Sequence, residues 1–316
     1  KEFVALAERA ETNFRELLNI PKDYSVLFTQ GGDTLQMSMA PMNLAGADDT
    51  VDYVITGSWA KKAAGEARKF CKVNVAADAA DKNFTYIPEE SSWQRSDAAA
   101  YLHITPNETI AGVEFHFVPS GDTPIVADMS STILSRPIDV SRYAVIYAGA
   151  QKNIGPAGIT VVVVRNDLLK RAPLNLPHLM TWRSYAESGS MTNTPPTFAW
   201  YVADLVFQYL KDRGGLEAMA EINARKARKL YAAIDDSGFY TNPVKEDCRS
   251  WMNVPFVLAD ASLDARFLEE SAADGLTNLK GHRSVGGMRA SIYNAVPEEA
   301  VDALIDFMNE FERVNG

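Results

Sequence analysis

The sequence predicts an α/β fold, on three observations. Strand-length runs rich in β-branched residues recur along most of the chain, with helical or loop stretches between them. Apolar residues at helical spacing open and close it. A composition of 47% hydrophobic and 23% charged residues over 316 positions supports a large core and excludes a disordered or collagen-like polymer.

In chain order, Phe3, Leu6, Ala10, Phe14, Leu17 and Leu18 predict a helix over residues 2–19, which Pro21 ends. Tyr24–Thr29 reads as a strand that runs straight into Gly31-Gly32. Strand-like segments follow at Val51–Ile55, Val73–Ala76, Ala100–Ile104, Pro124–Ala127, Tyr143–Tyr147 and Ile159–Val164. Phe198, Tyr201, Leu205, Phe207 and Leu210 predict one amphipathic helix, Gly214-Gly215 breaks it, and a Lys/Arg-rich helix follows over Asn223–Ile234. The remainder reads as a small α/β unit: a strand around Trp251–Leu258, a helix from Asp264 to Ala273, a strand at Met288–Tyr293 and a closing helix from Pro297. There Glu298 and Glu299 suit the positive end of the helix dipole. The expected division is a leading helix over 1–14, a large domain over 15–214 and a small C-terminal domain over 215–316.

Charge narrows the partners. Lys plus Arg is 31 against 41 Asp plus Glu, a net charge of −10 that repels a nucleic-acid backbone. Cys71 and Cys248 stand far apart, with no Cys-x-x-Cys or Cys/His cluster to suggest zinc, and read as reduced thiols in a cytoplasmic protein. The longest apolar run, Ile159–Val164, falls far short of the ~20 residues that cross a bilayer. No signal peptide is visible, and a chain that begins at Lys1 reads as part of a longer polypeptide.

The candidate chemistry lies at strand ends. Tyr143–Tyr147 leads through Ala148-Gly149-Ala150-Gln151 into Lys152, with small neutral neighbours and Gly155, Pro156 and Gly158 shaping the loop. A lysine just past a strand end lies where open α/β sheets hold ligands, and a partly desolvated lysine is a usable amine nucleophile. The apolar strand at Pro124–Ala127 ends in Asp128, 24 residues earlier. Alone, Asp128 reads equally as a turn or helix-cap aspartate. Together the two suit pyridoxal 5′-phosphate (PLP), with Lys152 as the Schiff-base amine and Asp128 as the partner that keeps the pyridine nitrogen protonated. Gly31-Gly32-Asp33-Thr34, between a strand and a helix start, offers backbone N–H groups to a phosphate, whereas neither a P-loop nor a dinucleotide glycine pattern is present.

These motifs resemble the phosphoserine aminotransferases, class V enzymes of the fold-type I PLP-dependent transferases. The resemblance spans nearly the whole chain. It rests on Pro106-Asn107-Glu108-Thr109-Ile110, Ala127-Asp128-Met129-Ser130-Ser131, Ser135-Arg136-Pro137, Tyr147-Ala148-Gly149-Ala150-Gln151-Lys152-Asn153, Asn193-Thr194-Pro195-Pro196-Thr197, Gly281-His282-Arg283 and Gly287-Met288-Arg289-Ala290-Ser291. It implies that Lys152 and Asp128 act as above, that Trp59 stacks on the cofactor ring, and that Thr109 bonds the ring hydroxyl. Backbone amides of Asp33 and Thr34, with Gln151, would hold the phosphate. Asn193 and Thr194 would reach the same phosphate across the interface of a homodimer. Arg289 would bind the substrate α-carboxylate, and His282 and Arg283 the distal anion of phosphoserine or glutamate.

The sequence departs from the family in two places. The family begins with about forty further residues, including Ser-Gly-Pro and His-Arg-Gly segments, that have no counterpart before Lys1. Asp33-Thr34 stands where many relatives have Gly-Arg or Ala-Ser, and a carboxylate near a phosphate is repulsive unless it points away. The implied reaction is reversible transamination between O-phospho-L-serine plus 2-oxoglutarate and 3-phosphohydroxypyruvate plus L-glutamate in serine biosynthesis, with 4-phosphohydroxy-L-threonine in pyridoxine biosynthesis as a further substrate. Two rivals remain. One is another class V reaction, such as alanine–glyoxylate transamination or cysteine desulfuration, the latter disfavoured because neither cysteine lies in a glycine-rich loop. The other is a PLP-containing scaffold without turnover.

Overall fold

The computed structural model describes residues 1–316. In chain order the elements are α1 (Glu2–Leu18), β1 (Tyr24–Thr29), α2 (Gly32–Leu44), β2 (Thr50–Ile55), α3 (Ser58–Ala67), β3 (Lys72–Asp78), β4 (Leu102–Ile104), β5 (Asn107–Glu108), β6 (Val113–Glu114), β7 (Ile125–Asp128), β8 (Val145–Gly149) and β9 (Thr160–Arg165). They continue with α4 (Trp182–Glu187), α5 (Thr197–Asp212), α6 (Gly215–Asp235), β10 (Tyr240–Thr241), β11 (Asn253–Leu258), α7 (Asp264–Ala273), β12 (Met288–Ser291) and α8 (Glu298–Asn315).

Seven strands form one sheet in the order β1-β9-β8-β7-β4-β2-β3. The run from β8 to β3 is parallel, and β9 is antiparallel to both β8 and β1. The expected α/β class is therefore what the chain adopts, built on a large, mostly parallel sheet. Strand alternation sorts the core. Val161, Val163, Ile146 and Ala148 face the layer of α1 and α5, while Val162, Val164, Val145 and Tyr147 face α2, α3 and α4. Both faces are thus covered, as a buried parallel sheet requires. A second, antiparallel sheet, β10-β11-β12, packs against α6, α7 and α8 around Phe256, Phe267 and Phe311. No helix is long and apolar enough to cross a membrane.

Two local expectations are corrected. The Lys/Arg-rich helix does not begin at Asn223: Gly214 and Gly215 both take positive φ, 94° and 76°, and α6 runs on directly from them. Its buried stripe is Leu216, Met219, Asn223, Lys226, Leu230 and Ile234, so two polar residues sit on the core face and hide the helical period from a hydrophobic reading. Lys226 is tolerated there because its Nζ donates to the carbonyls of Ile292, Tyr293 and Val296, at 2.9–3.0 Å.

The stripe assigned to α5 also divides. Trp200, Ala203, Phe207 and Leu210 are buried, whereas Phe198, Tyr201, Leu205 and Tyr209 form a separate exposed row. Residues 198, 201 and 205 follow helical spacing on one side and 200, 203, 207 and 210 on the other, so α5 is apolar on two faces.

Candidate active site

The carboxyl edge of the sheet gathers the ends of β1, β2, β7 and β8 and the short β5 that follows β4. The carboxyl ends of β7 and β8 are neighbours, with Asp128 paired to Tyr147 in parallel register. Asp128 closes β7 and is 3% exposed. Its Oδ1 accepts from the backbone N–H of Ser130 at 3.0 Å and from the Ser130 hydroxyl at 2.6 Å, leaving Oδ2 without a hydrogen bond from the chain. Ser130 Oγ in turn accepts from Gly149 N at 3.1 Å, which ties the turn after β7 to the end of β8. Burial pushes the Asp128 carboxyl up to about 6, and Asp33 pushes the same way, against the Ser130 hydrogen bonds and the charge of Lys152.

Lys152 follows β8 in a tight loop where the N–H groups of Lys152, Ile154 and Gly155 all converge on the carbonyl of Ala150. The next residue anchors the loop: Asn153 Nδ2 donates to the carbonyl of Ile133, and its Oδ1 accepts from Asn294 N, both at 3.0 Å. Lys152 Nζ donates to Thr109 Oγ1 at 2.8 Å. Burial lowers the Lys152 pKa and outweighs the opposing pull of Asp128, Asp33 and Glu108, with Arg289 adding to the decrease. A neutral amine is therefore accessible at lower pH than for a solvated lysine.

Trp59 lies in the first turn of α3, after β2, with its ring centroid 5.9 Å from Lys152 Nζ. Thr109 follows β5, the short strand that succeeds β4, so the tryptophan and the threonine approach the lysine from different strand ends. Asp33 stands in the first turn of α2, after β1, and its Oδ1 accepts from Gln151 Nε2 at 3.3 Å. Gly149 permits that approach, because a Cβ there would come within 2.7 Å of Gln151 and 2.9 Å of Asp33. Thr34 is exposed, and its hydroxyl accepts from Lys62 Nζ at 3.3 Å. From the smaller sheet, Arg289 on β12 donates from Nη1 to the carbonyl of Thr109 at 3.3 Å, while its buried Nε has no hydrogen-bond partner.

Of the residues singled out in the sequence, Lys152, Asp128, Thr109, Trp59, Asp33, Gln151 and Arg289 are linked by these contacts and fields. His282 and Arg283 lie exposed in the turn before β12, where His282 Nδ1 pairs with Ser284 Oγ at 2.7 Å. Asn193 and Thr194 are exposed as well, and both accept from Gln30 Nε2 of the same chain, through the Asn193 side chain and the Thr194 carbonyl.

Two residues were given no role in the sequence reading. Ser130 carried a legible signal, since Asp-x-Ser recurs at Asp139/Ser141 and Asp260/Ser262, where the aspartate again accepts from the serine N–H two residues on. Glu108 had none, because its partners, the N–H groups of Trp59 and Ala60, are 49 and 48 residues away in sequence.

The environment of Asp128 has a measurable consequence. A carboxyl whose pKa rises on folding contributes stability below its unfolded value, about 3.9, and loses that contribution as pH rises through its folded value of about 6. Asp128→Asn keeps the Oδ1 acceptor and removes the buried charge. At pH 7.5 it is expected to stabilise the ligand-free protein by up to about 3 kcal/mol, with a gain that shrinks toward pH 4. Thermal melts across this range check it, and a lower melting temperature for the variant at pH 7.5 contradicts the assignment.

Comparison with known proteins identifies the family. The family model for aminotransferase class-V matches residues 1–304. A phosphoserine aminotransferase from Hahella chejuensis is 59% identical over 311 residues, covering 98% of this chain and 86% of that protein. The solved phosphoserine aminotransferase from Bacillus circulans subsp. alkalophilus superposes with a TM-score of 0.98 at 46% identity, over 100% of this chain and 88% of the other. A PLP-bound phosphoserine aminotransferase from Trichomonas vaginalis gives 0.93 at 40%, over 98% and 88%. With a match of that extent and a lysine and an aspartate at neighbouring strand ends, the chain belongs to the aminotransferase class-V family.

Proposed function

We propose that this chain is a PLP-dependent aminotransferase that exchanges the amino group of O-phospho-L-serine with 2-oxoglutarate, reversibly, giving 3-phosphohydroxypyruvate and L-glutamate. One observation carries the chemistry: the desolvated Lys152 amine is held by Thr109 beside Asp128, whose Oδ2 takes no hydrogen bond from the chain. The choice of substrate rests on relatives named for phosphoserine, and 4-phosphohydroxy-L-threonine, with its own carboxylate and phosphate, is a candidate second substrate on its chemistry alone.

The residues present fit the cofactor. Asp128 Oδ2 is an available acceptor for a protonated ring nitrogen, Trp59 offers a flat face near the lysine, and the first turn of α2 has backbone donors that suit a phosphate. PLP held here by Lys152 before substrate arrives would supply an electron-withdrawing ring that acidifies the Cα–H of an amino-acid substrate whose amine has replaced the lysine. In this reading the released Lys152 amine takes that proton and returns it, a task suited to its lowered pKa. The ionised Asp128 carboxylate would hold the protonated ring nitrogen, and the Thr109 hydroxyl would hold the ring oxygen.

Arg289 binds the α-carboxylate through its planar fork, with His282 and Arg283 taking the distal phosphate or carboxylate. Backbone N–H groups of Asp33 and Thr34, with Gln151, hold the cofactor phosphate. Asn193 and Thr194 complete that cradle from the second subunit of a homodimer. The exposed row Phe198, Tyr201, Leu205 and Tyr209, which begins four residues after Thr194, supports an interface there.

Three results test the reading. Phosphoserine added to the PLP-loaded protein is expected to convert the cofactor to its amine form, followed by absorbance, while alanine does not; no conversion with phosphoserine overturns the function. Borohydride reduction followed by mass measurement is expected to attach the cofactor to the parent and not to Lys152→Ala, and equal labelling of the variant removes Lys152 from its role. Sedimentation at micromolar concentration is expected to give twice the mass of one chain, and a monomer at that concentration contradicts the shared cradle.

A further inference from the structure

We infer that Glu108 is a positioning residue for the cofactor ring, acting through Trp59. The inference rests on the proposed stacking role of Trp59.

Glu108 is 0% exposed, and no lysine, arginine or histidine forms a salt bridge with it. Its Oε2 accepts from the backbone N–H of Trp59 at 3.1 Å and its Oε1 from that of Ala60 at 2.8 Å. Those N–H groups lie in the first turn of α3, which opens on Gly57 and has no side-chain cap of its own. The donors of a first turn have no intrahelical partner, and a carboxylate there also meets the positive end of the helix dipole. Glu108 therefore supplies, from a remote strand, the cap that the local sequence lacks.

Gly57 shows that this contact constrains the chain. Its φ of 176° is extended backbone open to any residue, so conformation does not call for glycine. Space does: a Cβ at position 57 would lie 2.3 Å from Glu108 Cδ and 2.4 Å from Oε2. The absent side chain makes room for the carboxylate.

The next residue after Glu108 is Thr109, whose hydroxyl accepts from Lys152 Nζ. One side chain thus couples the backbone that carries Trp59 to the backbone that carries Thr109. That coupling lies beyond the carboxyl ends of β2 and β4, which pair through Asp52 with Leu102 and Tyr53 with His103 in the sheet, and it places the stacking face relative to the lysine. A ring held at fixed height and tilt needs a fixed platform, and two hydrogen bonds to one helical turn restrict both.

Glu108→Gln can accept at only one oxygen, and its amide nitrogen faces a backbone N–H it cannot satisfy. Apoprotein titrated with PLP is expected to show about tenfold weaker binding than the parent. Visible circular dichroism of the loaded variant is expected to change, reporting a reoriented ring. Gly57→Ala, which crowds the carboxylate without altering its charge, is expected to reproduce both effects and serves if Glu108→Gln fails to fold. A double-mutant cycle with Trp59→Ala isolates the route: adding Glu108→Gln to Trp59→Ala is expected to cost less than twofold more. Parent-like affinity and dichroism in both single variants, or full additivity in the cycle, overturns the inference. A parent that binds no PLP overturns the reading of the site itself, whereas a binding parent with additive losses overturns only the role of Glu108.

Discussion

Desolvation of one lysine amine among buried carboxylates is the constraint on which the rest of this molecule depends. Burial lowers the Lys152 pKa even though Asp128, Asp33 and Glu108 all pull it up, so removal from water outweighs Coulomb attraction here. The same burial raises Asp128 to about 6 and Glu108 to about 7. Each carboxylate consequently needs its own donors: Ser130 for Asp128, the first turn of α3 for Glu108 and Gln151 for Asp33. The hydrogen bonds that satisfy these charges also determine where the neighbouring side chains stand.

Sheet topology makes such a cluster possible. Parallel strands place their carboxyl ends on one edge, and β1 shares that direction because it and β8 are both antiparallel to β9. Asp33, Trp59, Thr109 and Lys152 follow β1, β2, β5 and β8 and Asp128 closes β7, although the first and last lie 119 positions apart. The floor beneath them is neutral: His103 Nε2 and the Tyr147 hydroxyl share a 2.8 Å hydrogen bond, and burial pushes His103 down to about 3.

Amides supply much of the junction between the smaller sheet and this edge. Asn107 Nδ2 donates to Asn253 Oδ1, Asn223 Nδ2 to the Ser135 carbonyl, and Asn294 Nδ2 to the Leu134 carbonyl, all buried. Asn294 N also donates to Asn153, the residue after Lys152. Neutral hydrogen bonds of this kind fix register without adding further charge beside Lys152. They set Arg289 on β12 against Thr109.

Local pattern was enough to identify the α/β class, the strand ends at Asp128 and Lys152, and the glycine turn before Asp33, because alternation, glycine and charge act over a few residues of chain. Ser130 was legible for the same reason, as half of a repeated Asp-x-Ser turn. Other features depended on distant partners. Polar Asn223 and Lys226 are buried in α6 by acceptors 66–88 residues away, and the two apolar rows of α5 are distinguished only by which one meets the core. Glu108 is the clearest case, since an isolated glutamate in a short strand has no local trait that marks it as the cap of another helix. Sequence by itself determined which groups can ionise and where the backbone turns; tertiary structure decided which of them lose water together, because desolvation depends on what surrounds a group in space.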